Sequence, residues 1–159
     1  MMMLRMTRYM LLQHKLNKGQ DMNIKLVDYK VIETIFQLEQ NVVDIINKLS
    51  DMKMDEYEDN LKFSPIYNDD NDKEFFVLFD LNFSSNEEEI NKTFSFKFVA
   101  RFETSDIITN EFKQGNFPKV NAPAIAYPFF RAFVNNYFIN AGYNPVLLPT
   151  YNFTKFKKN

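Results

Sequence analysis

The sequence predicts an α+β fold: a four-stranded antiparallel sheet, a meander with a crossover, covered by a long C-terminal helix and a shorter second helical segment. Two observations lead to this prediction. Residues 74–83 and 92–103 place large apolar side chains at every second position, and residues 123–141 repeat apolar side chains at helical spacing. The 159 residues suffice for one domain with a real core and are too few for two comfortable ones.

The first half of the sheet is predicted from two segments. Residues 24–38 are rich in β-branched and aromatic residues, and their alternation changes phase near Val31 and Ile32, which indicates a long strand with a β-bulge. Residues 61–67 predict a short strand that is limited by Pro65.

The second half of the sheet is predicted from the two phenylalanine-rich segments, which are separated from their neighbours by polar loops. Each has one apolar and one mainly polar face, as is typical of an antiparallel sheet with one buried side. The predicted buried faces comprise Phe75, Val77, Phe79, Leu81 and Phe83 on one strand and Phe94, Phe96, Phe98, Ala100 and Phe102 on the other.

Two helices are predicted, and the longer one must cover the apolar face of the sheet. Residues 41–49 place apolar side chains at i, i+3, i+4 and i+7, which favours two turns of amphipathic helix. The long helix begins near Pro123, whose missing N–H costs little in a first turn. Pro128 is expected to kink or delay that turn, and Gly142 is expected to end the helix.

Composition argues against catalysis. The chain has no cysteine and one histidine, His14, so thiolate chemistry is excluded and imidazole chemistry has almost no material. The acidic runs at 55–59, 68–72 and 87–89 lie in predicted loops without apolar surroundings that would raise a pKa, so we interpret them as solvated. No glycine-rich phosphate loop occurs. We therefore expect no enzymatic activity, no cofactor and no metal site.

Charge and hydropathy also narrow the choice of partners. The net charge is −2 and the basic residues are scattered, which is unlike a nucleic-acid-binding surface. No apolar run reaches the roughly 18 residues of a membrane span. The lack of cysteine fits a reducing cytosol. We expect a cytoplasmic protein that binds no nucleic acid and does not insert into membranes.

Three segments are distinguished along the chain. Residues 1–21 are interpreted as a flexible extension or as sequence that precedes a true start at Met22, with a basic amphipathic arm as the remaining alternative. Residues 22–153 form the single predicted domain. Residues 154–159 form a short basic tail.

The C-terminal third resembles the SecB-type protein-export chaperones. The resemblance rests on a proline, an apolar stretch and an aromatic-Pro-aromatic-x-Arg segment that opens the main helix. In that family a Gly-x-aromatic-Pro turn ends the helix, and a Pro-x-Asn-Phe-like segment follows. The matching residues are Pro123, Tyr127, Pro128, Phe129, Arg131, Gly142, Pro145, Pro149, Asn152 and Phe153. About 30 residues match closely, and the order of strands and crossover agrees in outline.

The resemblance implies an ATP-independent chaperone that binds unfolded or pre-secretory polypeptides and assembles as a dimer of dimers. In that family the outer face of the sheet docks on the export motor SecA. Glu33 keeps an acidic position there, but Gln37 is neutral and Lys97 reverses the charge of another position. A chaperone dedicated to one partner, such as the antitoxin of a toxin–antitoxin pair, is therefore a serious variant.

The resemblance also implies a client-binding groove between the crossover and the main helix. Aromatic side chains there would bind extended segments of many sequences, because apolar burial is non-directional. The implied groove residues are Tyr57, Leu61, Phe63, Ile66, Tyr67, Phe130, Phe133 and Tyr137. Several of them could instead fill the core, and for Phe133 the two alternatives carry equal weight.

Other functions remain open at this point. A non-chaperone peptide-binding module of the same fold would have an identical aromatic pocket, and only the breadth of its clients would differ. A small-molecule site would need converging polar groups, which the two phenylalanine-rich strand faces lack. A purely structural subunit is neither favoured nor excluded.

Overall fold

An antiparallel sheet of four strands carries the fold. In the computed structural model, which describes residues 22–39, 43, 61–85 and 91–157, these are β1 (Ile24–Glu39), β2 (Leu61–Tyr67), β3 (Glu74–Ser85) and β4 (Asn91–Thr104). Their order is β1-β4-β3-β2, so the connection from β1 to β2 crosses from one edge of the sheet to the other. The predicted sheet is confirmed.

Strand β1 is bulged at two places. Its register against β4 shifts between Leu26 and Asp28 and again between Val31 and Glu33. The second shift is the bulge that the change of phase near Ile32 predicts, whereas the sequence pattern did not reveal the first. Each bulge inserts one unpaired residue and sharpens the local twist of the strand.

One face of the sheet is the core. The alternating apolar residues of β3 and β4 are buried, and Phe79 and Phe98 have no exposed surface. The registers bring the faces of the two strands together, for example Phe79 opposite Phe98. Rings that stack or meet edge to face fill this layer, as for Phe75 and Phe102 at 5.1 Å. The predicted buried face is therefore confirmed for the side chains that the structure describes.

Helix α2 (Ala122–Asn140) covers this face, preceded by the short helix α1 (Asn110–Gln114) and a π-helical turn at Phe117–Asn121. Helical geometry thus begins before Pro123, earlier than predicted. Pro128 lies inside this helix, which continues to Asn140, so it does not delay the helix start. Of the helix predicted at 41–49, only Val43 lies within the described residues, and it is helical.

The end of α2 confirms the predicted role of Gly142. Its φ of 87° lies in the left-handed region that favours glycine. The N–H of Gly142 donates to the carbonyl of Ile139, and the N–H of Tyr143 donates to the carbonyl of Phe138 at 2.9 Å. The Tyr143 ring also packs against Phe138. This is a Schellman motif with its hydrophobic contact.

After this turn the chain runs back along α2 and ends in a 3₁₀ turn at Phe153–Lys157. The Tyr127 hydroxyl donates to the carbonyl of Pro149 at 2.7 Å, and Val146, Leu148 and Phe153 are buried. These contacts fix the C-terminal segment against the helix. None of the helices in the described part of the chain is long and apolar enough to cross a membrane.

Candidate functional site

The β2 edge of the sheet carries a band of half-buried aromatic rings, which we call the aromatic edge. It comprises Phe63, Tyr67, Phe112, Phe117 and Tyr151. Phe63 packs against Phe79 and Phe153, with ring centroids 6.2 and 5.0 Å away. These rings are only partly buried, so they retain surface that a partner can cover.

The aromatic edge continues beyond Tyr67 through α1. The Nζ atom of Lys113 lies 4.7 Å from the centroid of the Tyr67 ring, a cation–π contact. Phe112 packs on Phe75 of the core and on Phe117. Thr109 caps α1 by accepting a hydrogen bond from the N–H of Phe112, which holds this short helix beside the strand.

The hydroxyl of Tyr67 is buried and has no hydrogen-bond partner among the residues that the structure describes. Burial raises the pKa of Tyr67 above its ordinary value, because desolvation disfavours the phenolate. The group is therefore a neutral donor throughout the physiological pH range. An unsatisfied buried donor is rare in native proteins and is one place where a ligand acceptor would be stabilising.

Strand β2 pairs with β3 on one side, and among the described strands none pairs with its other side. Pro65 lacks an N–H, so it is compatible with a position whose backbone nitrogen points away from β3. An unpaired strand edge next to apolar side chains is the arrangement that adds an extended peptide as a further strand.

The structure separates the residues that the resemblance placed in one groove. Phe63 and Tyr67 lie together on the aromatic edge. Phe133 and Tyr137 lie on the other flank of α2, where both rings pack against Phe96 of β4. Ile66 is 43% exposed and lies on the opposite face of the sheet. Tyr57 lies outside the described residues.

Two of the implied groove residues belong to the core. Phe130 has no exposed surface and stacks on Phe79, with centroids 5.5 Å apart and planes 11° apart. Leu61 is also buried. Their side chains cannot contact a partner unless the core opens, so neither belongs to the candidate site. Phe112, Phe117 and Tyr151 were missed, although the Thr109 cap was a sequence signal that could have located the first of them.

The outer face of the sheet differs from an acidic docking surface. Glu33 accepts hydrogen bonds from the Ser95 hydroxyl at 2.7 Å and from Lys97 Nζ at 3.0 Å. Arg101 bridges Asp28 and Glu74, at 3.0 and 3.3 Å. Each of these carboxylates is therefore paired with a cation on an adjacent strand, and Asp28 and Glu74 share one guanidinium. Gln37 is exposed on the same face.

The pairing of Glu33 predicts a pH dependence of stability. The Ser95 hydrogen bond and then Lys97 lower the pKa of Glu33 below 4.5. A carboxylate whose folded pKa is depressed stabilises the protein above its unfolded pKa, and this contribution disappears as the pH falls through the folded pKa. We expect urea midpoints of the wild type to fall more steeply below about pH 4.5 than those of Glu33→Gln. Parallel pH profiles of the two proteins would contradict the assignment.

Comparison with known proteins supports the fold. No family model and no curated protein matches the chain. Eleven chains of solved structures match. One is the Mycobacterium tuberculosis Rv1957 SecB-like chaperone in complex with a ChAD peptide from the Rv1956 HigA1 antitoxin, with a TM-score of 0.57 and 16% identity, covering 80% of this chain and 90% of that one. Another is a Streptococcus agalactiae protein of unknown function, with a TM-score of 0.48 and 12% identity, covering 81% and 98%.

The four-stranded sheet under a long helix is thus an α+β fold similar to that of the Rv1957 SecB-like chaperone. At 16% identity, the likeness is one of fold.

Proposed function

We propose that the protein is an ATP-independent chaperone that binds unfolded polypeptides along the aromatic edge. The single observation that carries the proposal is the band of half-buried rings beside the side of β2 that pairs with no other described strand. Rigid aromatic rings offer large contact area at low entropic cost, and a strand edge adds main-chain hydrogen bonds that do not depend on sequence. This mode of binding needs neither nucleotide nor metal.

The identity of the client distinguishes two forms of this function. A general chaperone of protein export would deliver pre-secretory chains, and in SecB-type proteins this involves SecA. A dedicated chaperone would guard one partner, such as an antitoxin. The paired state of Glu33 with Lys97 favours the dedicated form, because it leaves less free negative charge for docking a motor. The antitoxin peptide in the Rv1957 structure is consistent with it.

The proposal includes a cytoplasmic location and assembly as a dimer of dimers. Exposed apolar side chains on β1 and α2, among them Tyr29 and Phe129, support the assembly, because soluble monomers rarely expose contiguous apolar surface. A peptide-binding module without chaperone activity remains the alternative, and breadth of client binding separates the two.

The test is suppression of aggregation of a reduced, slowly refolding client, followed by light scattering. We expect the full-length wild type to protect at near-stoichiometric ratio. The double variant Phe63→Ser/Tyr67→Ser should weaken client binding at least about 100-fold and so lose protection at this ratio, since aromatic anchors typically contribute on the order of 2 kcal/mol each and 1.4 kcal/mol is a factor of ten.

The matched control is Phe133→Ser/Tyr143→Ser, which also removes one half-buried phenylalanine and one half-buried tyrosine, both away from the aromatic edge. Far-UV circular dichroism and light scattering establish that both variants keep their fold and assembly. Loss of protection in the control alone would place the site on the other flank of α2 and contradict the proposal. No protection by the wild type would exclude a general chaperone.

A further inference from the structure

A cavity of about 220 Å³ lies between α2 and the returning C-terminal segment. The helix contributes positions i, i+3, i+4 and i+7, which share one face. The extended segment 146–148 forms the facing wall. The lining residues are Pro128, Arg131, Ala132, Asn135, Val146, Leu147 and Leu148.

Arg131 brings an unpaired positive charge to this cavity. Its guanidinium lies over the ring of Tyr127, 5.8 Å from the centroid, and it forms no ion pair or hydrogen bond with any described residue. The lining contains no carboxylate. A planar guanidinium suits bidentate binding of a carboxylate, so the charge complement of this cavity is an anion.

Asn135 adds a second unsatisfied group. Its side-chain Oδ1 is buried and accepts no hydrogen bond from the described part of the chain. A buried amide oxygen without a donor lowers stability, and a ligand N–H would restore the missing bond. An occupant that satisfies both groups must therefore donate a hydrogen bond and carry negative charge.

The facing wall, residues 146–148, has the alternating burial of an extended strand with one exposed face. Val146 and Leu148 are buried, whereas Leu147 between them is 71% exposed, the alternation of an extended strand with one free face. None of the described backbone hydrogen bonds between segments involves these three residues. A peptide lying alongside would gain main-chain partners and an apolar contact with Leu147.

We propose that this cavity binds an extended peptide segment that carries an acidic side chain. The carboxylate accepts hydrogen bonds from Arg131, a backbone N–H donates to Asn135 Oδ1, and a neighbouring apolar residue packs between Pro128 and Leu147. A free phosphate offers no apolar group, and a purely apolar segment offers no charge. The cavity shares no residue with the aromatic edge, so it stands independently of the proposed chaperone function.

The test is fluorescence anisotropy with the full-length protein and a labelled, capped peptide in which leucine and aspartate alternate. A second peptide replaces each aspartate with asparagine. We expect Arg131→Gln to weaken binding of the aspartate peptide about tenfold, the usual loss of a charge-assisted hydrogen bond, and to leave the asparagine peptide unchanged. Added salt should weaken only the aspartate peptide.

Two further variants test the proposal if Arg131→Gln does not fold stably: one changes the cavity and the other is a negative control. Leu147→Glu changes an exposed side chain and places a repelling carboxylate at the cavity. Both peptides lose the apolar contact with Leu147, but only the aspartate peptide is also repelled, so its binding should weaken more. Lys62→Gln removes an exposed cation from the other face of the sheet and should change neither peptide. The proposal is overturned if both peptides bind equally, or if Lys62→Gln weakens binding of the aspartate peptide as much as Arg131→Gln does. It is also overturned if an uncapped form with a free C-terminus binds and the capped form does not. If the wild type fails to protect a client from aggregation but still prefers the aspartate peptide to the asparagine peptide, only the chaperone proposal is overturned.

Discussion

Replacing Phe79 with alanine should lower the free energy of unfolding by about 3–5 kcal/mol, the usual cost of truncating a fully buried phenylalanine. Its ring has no exposed surface and stacks on Phe130 of α2. It also meets Phe98 at 6.2 Å and Tyr127 at 6.0 Å, so the cavity would be surrounded by rigid rings that cannot collapse into it. Urea denaturation followed by circular dichroism measures the change.

Phe76→Ala is the matched control, because Phe76 lies on the same strand but is half-buried on the outer face. We expect it to cost clearly less, since a half-exposed ring loses less contact. A Phe79→Ala loss below about 1 kcal/mol, or equal losses for the two variants, would contradict the position of the core. A double-mutant cycle with Phe130→Ala should show coupling, because residues in contact are not additive.

Placing a charge at Phe129 should dissociate the proposed assembly. Phe129 is 42% exposed and lies 5.4 Å from the ring of Tyr29, itself 47% exposed. Ile125 lies one turn earlier on the same side of α2 and is also exposed. We expect Phe129→Asp to weaken association about 100-fold or more, because a buried charge without a partner is added where an aromatic anchor is lost. Analytical ultracentrifugation at micromolar concentration gives the distribution of species.

Ile139→Asp is the control for this variant, because Ile139 is an exposed apolar residue of the same helix, more than two turns further on. It should leave the assembly largely intact. A wild-type protein that is monomeric at micromolar concentration would reject the tetramer, and equal dissociation by both variants would reject an interface centred on Tyr29 and Phe129.

Much of the fold could be predicted because its signals are local. The alternation through Phe75 to Leu81 and through Phe94 to Phe102 identifies both strands and their buried faces without knowledge of the neighbours. Gly142 marks the end of α2 because few other residues adopt its φ. The start of α2 was less predictable, because the π-helical turn at 117–121 depends on how the entering chain packs.

The candidate site was predicted only in part. Phe63 and Tyr67 are half-buried rings on β2, and their part in client binding stays a prediction. Phe133 and Tyr137 share helical spacing with the core residues of α2, but spacing does not show which strand each flank of a helix meets. That depends on the strand order β1-β4-β3-β2, which puts Phe96 and Phe63 on different sides of α2.

Periodicity along the chain was thus enough to predict the strands, the long helix and the buried phenylalanine layer. The apolar pattern of each strand or helix lies within about 20 consecutive residues. Three other features depend on residues that are distant in sequence. They are the ion pair of Glu33 with Lys97, the burial of Phe130 in the core and the cavity at Arg131. Such contacts arise from the register of the sheet and the crossing of the helix over it, so only the folded chain reveals them.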